Sequence, residues 1–301
     1  MKLRSSGRGT GYAVWRGVVE SALRVAYRGD WPARLWSALP AAGGLSTVRY
    51  QLMLPAGDGG ACRIAFVSDL HVGPTTPVSL LEKAFAAIRR EEPDVLLLGG
   101  DYVFLDAKPH RLAALGTLVE SVTCSVKLAV LGNHDLWTSD HAIVETLSRA
   151  GARVLINEAV ALPDPWSDVV VLGLDDPWTG LCDPPAAAAQ LNGEPVRIVL
   201  CHSPDGLGLL SGLRFDLFLC GHTHGGQIAT PWGPIVLPYG RMCRQYPSGL
   251  QRFDSGVVYV SRGLGGVELP IRTFARPDVM LVDLVRPDRV REVAAPPRQP
   301  A

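Results

Sequence analysis

Arg63-Ile64-Ala65-Phe66-Val67-Ser68-Asp69-Leu70-His71 is a short apolar run that stops at a small residue and then presents two side chains able to hold a metal. Four later stretches repeat the arrangement. Val95-Leu96-Leu97-Leu98 runs into Gly99-Gly100-Asp101, and Leu128-Ala129-Val130-Leu131 into Gly132-Asn133-His134-Asp135. Val196-Arg197-Ile198-Val199-Leu200 runs into Cys201-His202, and Phe215-Asp216-Leu217-Phe218-Leu219 into Cys220-Gly221-His222-Thr223-His224. Short apolar runs bounded by glycine read as buried strands, and in such sheets ligands gather at the carboxyl ends. Five segments distant in sequence are therefore expected to converge on one crevice.

Asp69, His71, Asp101, Asn133, His202, His222 and His224 offer carboxylate and amide oxygens and imidazole nitrogens. The set contains no thiolate, which argues against a structural zinc cage. Each fragment alone has an ordinary explanation: Asp-x-His is common, Gly-Asp is usually a turn, and a single His after a strand is usually a hydrogen-bonded core residue. Five fragments in order, all at strand ends, point instead to a metal centre.

With these residues the chain resembles the calcineurin-like metallophosphoesterase superfamily. Its pattern of Asp-x-His, Gly-Asp, Gly-Asn-His-(Asp/Glu), His and Gly-His-x-His is filled at every position, and the resemblance spans residues 61–286. The longer Gly221-His222-Thr223-His224-Gly225-Gly226-Gln227, together with Ser261-Arg262-Gly263-Leu264-Gly265 and Pro270-Ile271-Arg272, is similar to the bacterial membrane-associated branch that includes UDP-2,3-diacylglucosamine pyrophosphatases. The resemblance implies two divalent ions. One is held by Asp69, His71, Asp101 and His224, and the other by Asp101, Asn133, His202 and His222, with Asp101 bridging. Two neighbouring cations need an anion between them, which a shared carboxylate and a shared hydroxide provide; that hydroxide is then the nucleophile for in-line attack on phosphorus.

His134, beside a ligand, is implied by the resemblance to protonate or stabilise the leaving oxygen. Asp135 either accepts a hydrogen bond from that imidazole or interacts with a helix dipole ahead of 142–144. Imidazole with carboxylate suits Mn, Fe or Zn. Purple acid phosphatases in this superfamily carry a Tyr three residues after the bridging Asp. Here that place is Phe104, so a ferric centre is not expected.

At 301 residues and 47% hydrophobic the chain can bury a large core unaided. Motifs from 69 to 224 share one site, so the organisation expected is an amphipathic basic extension over 1–60, a catalytic domain over 61–286 and a loose Pro- and Arg-rich tail over 287–301. Net charge is zero and no basic block is large enough for a nucleic-acid groove, so nucleic acid is not an expected partner. The six cysteines show no C-x-x-C pair and read as reduced, packed thiols. No secretory segment opens the chain and no apolar run approaches the roughly 18–20 residues that span a bilayer, so a cytoplasmic location is expected.

Apolar spacing predicts helices over 78–90, 110–121, 141–150 and 185–191, and further strands over 257–261 and 279–284. Helices outside two sheets make the four-layer α/β/β/α sandwich that the resemblance implies. In the first 45 residues Trp15, Val18, Val19, Ala22, Leu23 and Ala26 fall at helical spacing, with Arg16, Glu20, Arg24 and Arg28 on the other faces. Such a helix either lies on an anionic membrane surface, helped by Lys2, Arg4 and Arg8, or packs on the catalytic domain. The stretch 225–250 is unusually apolar for a loop. Trp232, Ile235, Leu237 and Tyr239 are expected to line a groove in which Arg241 and Arg244 meet a phosphate, unless the stretch is a hairpin packed on the sheet, and Asp176-Pro177-Trp178-Thr179-Gly180 reads as a second rim loop.

The function expected is hydrolysis of a phosphodiester or pyrophosphate bond in a lipid-linked nucleotide sugar, with UDP-2,3-diacylglucosamine of the lipid A pathway as the substrate the resemblance suggests. A soluble phosphomonoesterase or cyclic-nucleotide phosphodiesterase is the alternative. A non-catalytic scaffold is disfavoured because His134 and every ligand are present.

Overall fold

The computed structural model describes residues 14–38, 44–55, 60–238, 240–254 and 256–286. Lys2, Arg4, Arg8, Tyr239 and the tail 287–301 lie outside them. Helices α1 (Val14–Ala26) and α2 (Trp31–Ser37) come first, followed by strand β1 (Ser46–Met53). Strands β2 (Cys62–Val67), β3 (Val95–Leu98), β4 (Val126–Ala129) and β5 (Arg153–Val154) then pair in parallel. Between them run α3 (Val78–Arg90), α4 (Pro109–Glu120), α5 (Asn133–Thr138) and α6 (Asp140–Arg149). A second sheet starts with β6 (Glu158–Ala161), β7 (Val169–Gly173), β8 (Val196–Leu200) and β9 (Leu217–Cys220), with α7 (Pro184–Ala188) between β7 and β8.

A small hairpin of β10 (Ala229–Thr230) and β11 (Gly233–Pro234) and the short helix α8 (Arg241–Gln245) lead to β12 (Gly249–Phe253) and β13 (Gly256–Val260), which complete the second sheet. The chain then returns to the first sheet as β14 (Asp278–Val285). The sheet orders are β1-β14-β2-β3-β4-β5 and β12-β13-β9-β8-β7-β6. Register pairs Ser46 with Asp278 and Met53 with Val285, so residues 46–53 belong to a sheet although they precede residue 61.

Nearly every residue of the central strands is buried, because both faces of each sheet are covered. Ile64, Phe66, Leu97 and Leu128 of the first sheet meet Val171, Ile198, Leu200 and Leu219 of the second in one apolar layer. On the far side of the first sheet, Ala65, Val67, Leu96 and Leu98 pack under Leu81, Phe85 and Ile88 of α3, Leu115 of α4 and Ile143 of α6. In α3 the buried positions Leu81, Phe85 and Ile88 recur at three and four residues, and the helix ends before Pro93, where the ring disfavours helical backbone. The outer face of the second sheet is covered by Ala187 of α7, Leu207 and Leu210 of a short helical segment, and Tyr246. This fourth layer consists of short pieces, two of which open on prolines, Pro184 and Pro204, at the first helical position, where the missing N–H costs nothing. The architecture is a four-layer α/β/β/α sandwich. All six cysteines are free, and Cys62, Cys201, Cys220 and Cys243 are buried.

Helix α1 packs the opposite way from an ordinary surface helix. Its polar stripe docks: Glu20 is only 3% exposed, Arg24 donates to the Leu105 carbonyl at 2.6 Å, and Arg16 bonds Glu20 and Glu268. Its apolar stripe faces outward, with Trp15 65%, Val18 66% and Val25 65% exposed. Among the described residues no helix is long and apolar enough to cross a membrane.

Candidate metal centre

Because β2, β3 and β4 run parallel in one sheet and β8 and β9 in the other, their carboxyl ends deliver Asp69, Asp101, Asn133, His202 and His222 to a common edge. The turns there are tight. Asp69, His71, Asp101, His222 and His224 all have positive φ, between 44° and 68°. Each such residue costs on the order of 1 kcal/mol or more, and the cost is met where surrounding bonds over-determine the backbone. Asp69 N–H donates to Gly100 O at 2.9 Å, His71 N–H to Asp101 O at 3.0 Å, and Gly265 N–H to Asp69 O at 2.7 Å. Two glycines allow the close approach. A Cβ on Gly132 would sit 2.3 Å from Asp101 Oδ1, and one on Gly221 would sit 2.1 Å from Asp69 Oδ2.

The side chains gather in two buried groups that could each hold a metal ion, Asp69–His71–His224 and Asp101–His202–His222. His71 Nε2 lies 3.2 Å from His224 Nε2, and His224 Nε2 lies 3.4 Å from Asp69 Oδ1. In the second group His222 Nδ1 is 3.3 Å and Asn133 Oδ1 3.2 Å from His202 Nε2. Asp101 Oδ2 is 3.2 Å from His202 Nε2 and 3.6 Å from His71 Nε2, so one carboxylate oxygen faces both groups. Donor atoms held this closely are spaced as neighbours around a cation about 2 Å from each. His202 Nδ1 is held on Gly99 O at 2.8 Å, which turns Nε2 toward Asp101. The donor set therefore fits two ions.

Burial dominates the metal-free electrostatics. It pushes Asp69 up to about 7, with the Asp101 charge adding to the rise, and it lowers His71 to about 4 and His222 to about 3. His224 falls well below the ordinary imidazole value through burial, the His71 ring and the Arg272 charge. His202 goes the other way. Burial opposes its protonation, but the Asp101 carboxylate and its hydrogen bond, with Asp69 and Asp176, hold the imidazolium. Asp101 in turn is held well below the carboxylate range, against its burial, by His202 and His134. Burial thus favours neutral imidazoles at His71, His222 and His224, and the carboxylates favour a protonated one at His202.

His134 lies on the cavity side of the centre, its ring 5.0 Å from His71 and 5.0 Å from Trp137. Burial, the His71 ring and the Arg16 charge hold it well below the ordinary imidazole value. Asp135 does not contact that ring among the described residues. Its carboxylate accepts the backbone N–H groups of Asp101 at 2.8 Å, Tyr102 at 2.8 Å and Gly132 at 2.9 Å, so its place is behind the turns, although burial pushes its pKa up to about 8. Phe104 packs on His71 and His134. The Tyr102 hydroxyl donates to the Val130 carbonyl at 2.8 Å, inside the core and away from the ligands.

The centre opens into a cavity of about 590 Å³ walled by Trp15, Trp137, Trp178, Val236, Leu237 and Leu269. The 225–250 stretch reaches it through Ile228 and Val236–Pro238. Trp232, Arg241 and Arg244 are not among its lining residues: Trp232 is 92% exposed on the β10–β11 hairpin, Arg241 is exposed on α8, and Arg244 borders a smaller adjoining cavity with Ile235 and Leu237. Helix α8 buries Cys243, which leaves its arginines on the outer side.

Trp137 had no place in the sequence reading, and Gln227 and Arg272 entered it only within the motifs that carry the resemblance, without a role. Trp137 falls one helical turn after His134, a spacing that could have been noticed. Trp178 packs 4.8 Å from the His222 ring and is fixed by Nε1–H donation to Asp205 at 2.8 Å. Arg272 bonds the carbonyls of Gly265, Arg262 and Ala275 and lies 2.9 Å from His224 Nδ1, pinning that imidazole and the glycine turn together. Gln227 donates to the carbonyls of Val267 and Leu269 and accepts the Val267 N–H, fixing the segment that carries Glu268.

Residues 62–226 match the calcineurin-like phosphoesterase family. The chain is 34% identical over 247 residues to phosphodiesterase YaeI of Escherichia coli (strain K12), covering 81% of this chain and 89% of that protein. It is 30% identical over 277 residues to the metallophosphoesterase YkuE of Bacillus subtilis (strain 168), covering 85% and 95% respectively. With the UDP-2,3-diacylglucosamine pyrophosphatase LpxG of Chlamydia muridarum (strain MoPn / Nigg) it shares 28% identity over 273 residues, 73% of this chain and 82% of that one. The protein is accordingly a metal-dependent hydrolase of phosphoester bonds that takes two divalent metal ions. Fold, donor set and sequence likeness agree, and the chain belongs to the calcineurin-like phosphoesterase family.

Proposed function

We propose that the protein cleaves a phosphodiester or pyrophosphate bond in an amphiphilic substrate of the UDP-2,3-diacylglucosamine kind, working as a peripheral protein on the cytoplasmic face of a membrane. The observation that carries this reading is the tryptophan- and aliphatic-walled cavity beside the metal centre, edged by a helix whose apolar stripe faces outward. A cavity of about 590 Å³ in which tryptophan and aliphatic walls adjoin the polar side chains of the metal centre suits an acyl or glycosyl portion next to a phosphoryl group. LpxG, named for that pyrophosphatase activity, is among the relatives.

In this reading Asp69, His71, Asp101 and His224 hold one cation, and Asp101, Asn133, His202 and His222 the other. Bound there, the two ions neutralise phosphoryl oxygens and supply an acidified water for attack at phosphorus. Asn133 contributes an oxygen without adding charge. His134, on the cavity side, is placed to protonate or stabilise the leaving oxygen, and Trp178 shields His222 from bulk water. The catalytic unit runs from β1, which completes the first sheet beside β14.

The metal-loaded protein should be assayed on bis-p-nitrophenyl phosphate, p-nitrophenyl phosphate and UDP-2,3-diacylglucosamine. Preference for the last supports the proposal. Turnover of the diester with none of the nucleotide sugar overturns the lipid reading and leaves a phosphodiesterase acting on a smaller substrate, a reading favoured by the higher identity to YaeI.

A further inference from the structure

Helix α1 lies outside the stretch that matches the family, yet it supplies Trp15 and Arg16 to the wall of the catalytic cavity. The Arg16 side chain is only 11% exposed. Its Nε donates to Glu20 Oε1 at 3.2 Å, its Nη1 bonds Glu268, and its guanidinium carbon lies 5.2 Å from the centre of the Trp137 ring. Nη2 is buried and finds no hydrogen-bond partner among the described residues. A buried cationic N–H left unpaired is unfavourable and uncommon in folded proteins. Around it everything is secured. Glu20 is also bonded by Arg24 at 3.1 Å, Arg24 is anchored on the Leu105 carbonyl, and Glu268 sits on the segment clamped by Gln227.

We propose that Arg16 is a substrate-binding residue whose free Nη2 receives a second anionic group of the substrate, the phosphoryl group that is not attacked. The inference rests on the phosphoesterase reading above and narrows it to pyrophosphate-linked substrates. Trp137 meets the Arg16 guanidinium at 5.2 Å and the His134 ring edge-on at 5.0 Å, so the guanidinium stands two ring contacts from the leaving-group side of the centre. A planar, always-charged donor held by two carboxylates and an indole is pre-organised for phosphate oxygens. Glu268 is half-buried, so water screens its charge and leaves Arg16 attractive to an anion. A substrate with a single phosphorus leaves this group uncontacted, and a diphosphate presents its second phosphoryl on the same side.

The test uses the full-length, metal-loaded protein hydrolysing bis-p-nitrophenyl phosphate, with UMP and UDP as competitive inhibitors. The wild type is expected to bind UDP more tightly than UMP. In Arg16→Met the inhibition constant for UDP should rise about tenfold or more while that for UMP moves much less, and Arg16→Lys should recover part of the difference. Equal inhibition by the two nucleotides in the wild type overturns the proposal. So does a UDP-to-UMP ratio unchanged in Arg16→Met, or, should that variant not fold, in Arg16→Lys. A wild type that fails on bis-p-nitrophenyl phosphate with both metals bound counts instead against the phosphoesterase reading itself, an outcome no Arg16 variant can mimic.

Discussion

Asp135 Oδ2 accepts the backbone N–H of Asp101 at 2.8 Å, and the residue it holds sits at φ 57° with a carboxylate facing both metal groups. Two further amides, of Tyr102 and Gly132, bond the same carboxyl group, so Asp135 joins the turn after β3 to the turn after β4. Replacing it with Ala leaves three buried amides unsatisfied, which should cost about 3 kcal/mol or more. Thermal melting and metal analysis of Asp135→Ala are expected to show lower stability and partial metal loss. A variant that keeps both metals and its melting temperature, and loses rate only with poor leaving groups, would place Asp135 on the His134 imidazole instead.

Asp101→Ala should be the most damaging ligand substitution. A pair of unit charges about 4 Å apart repels by about 4 kcal/mol near a protein surface, and two divalent cations by about four times that, so the carboxylate facing both groups matters more than one facing a single group. Expected results are loss of at least one metal and nearly all turnover. Elemental analysis finding two tightly held metals in an active Asp101→Ala protein would sink the two-metal assignment.

His134→Ala separates binding from chemistry, because the ring borders the cavity and belongs to neither metal group. Metal content should stay near wild type. Rate should fall by about 10²–10⁴-fold for substrates with poor leaving groups and by less for p-nitrophenyl esters, which need little protonation. An equal loss across leaving groups argues for a purely structural ring.

The strand-end logic made the centre legible in the sequence because a buried strand has to stop somewhere, and here each stops in Gly, Ser or Cys followed by a ligand. The helix over 78–90 matched to the residue because its burial period and its terminating Pro93 agree. Left-handed backbone at Asp69, His71 and Asp101 was invisible, since side-chain type alone does not reveal the carbonyls and carboxylates that hold it. Composition shows that the 225–250 stretch is apolar but not which way its short helix faces, so it could not separate Arg244, which borders the smaller cavity with Ile235 and Leu237, from Arg241, which is exposed. Helix α1 is the clearest case: periodicity shows two faces, and only the contacts of Arg16, Glu20 and Arg24 show that the polar one is docked.

That orientation carries a prediction for the outward stripe. Val18 and Val25 are exposed valines on one face, so Val18→Glu/Val25→Glu should leave stability within about 1 kcal/mol. Partition onto vesicles containing anionic lipid should fall about tenfold or more, because apolar contact is lost and negative charge is added. A wild-type protein that stays in the supernatant with such vesicles at low salt rules out the membrane role.

Metal loading should be proton-coupled, with a sign fixed by the pKa shifts. In the metal-free protein His202 holds its proton well above the ordinary imidazole value, and burial raises Asp69 to about 7 and Asp176 to about 6. All three folded values lie above the unfolded ones. Their contribution to stability is therefore fully present below the unfolded values and is lost as pH rises through the folded ones. Asp135, raised to about 8, adds to them, whereas His71, His134, His222 and His224 have lowered values and contribute stability that is gained as pH rises toward the unfolded imidazole value. The metal-free protein should therefore gain stability up to about pH 6 and lose it between about pH 7 and 8. Bound cations displace the His202 proton and favour ionised Asp69, so loading should release protons and flatten that decline. Calorimetric titration with Mn or Zn near pH 7 in buffers of different ionisation enthalpy reads the release directly, and apparent affinity should rise about tenfold per pH unit for each proton displaced. Identical heats in all buffers, with a melting temperature that does not fall between about pH 7 and 8 in the metal-free protein, would show that His202 and Asp69 do not carry these protons.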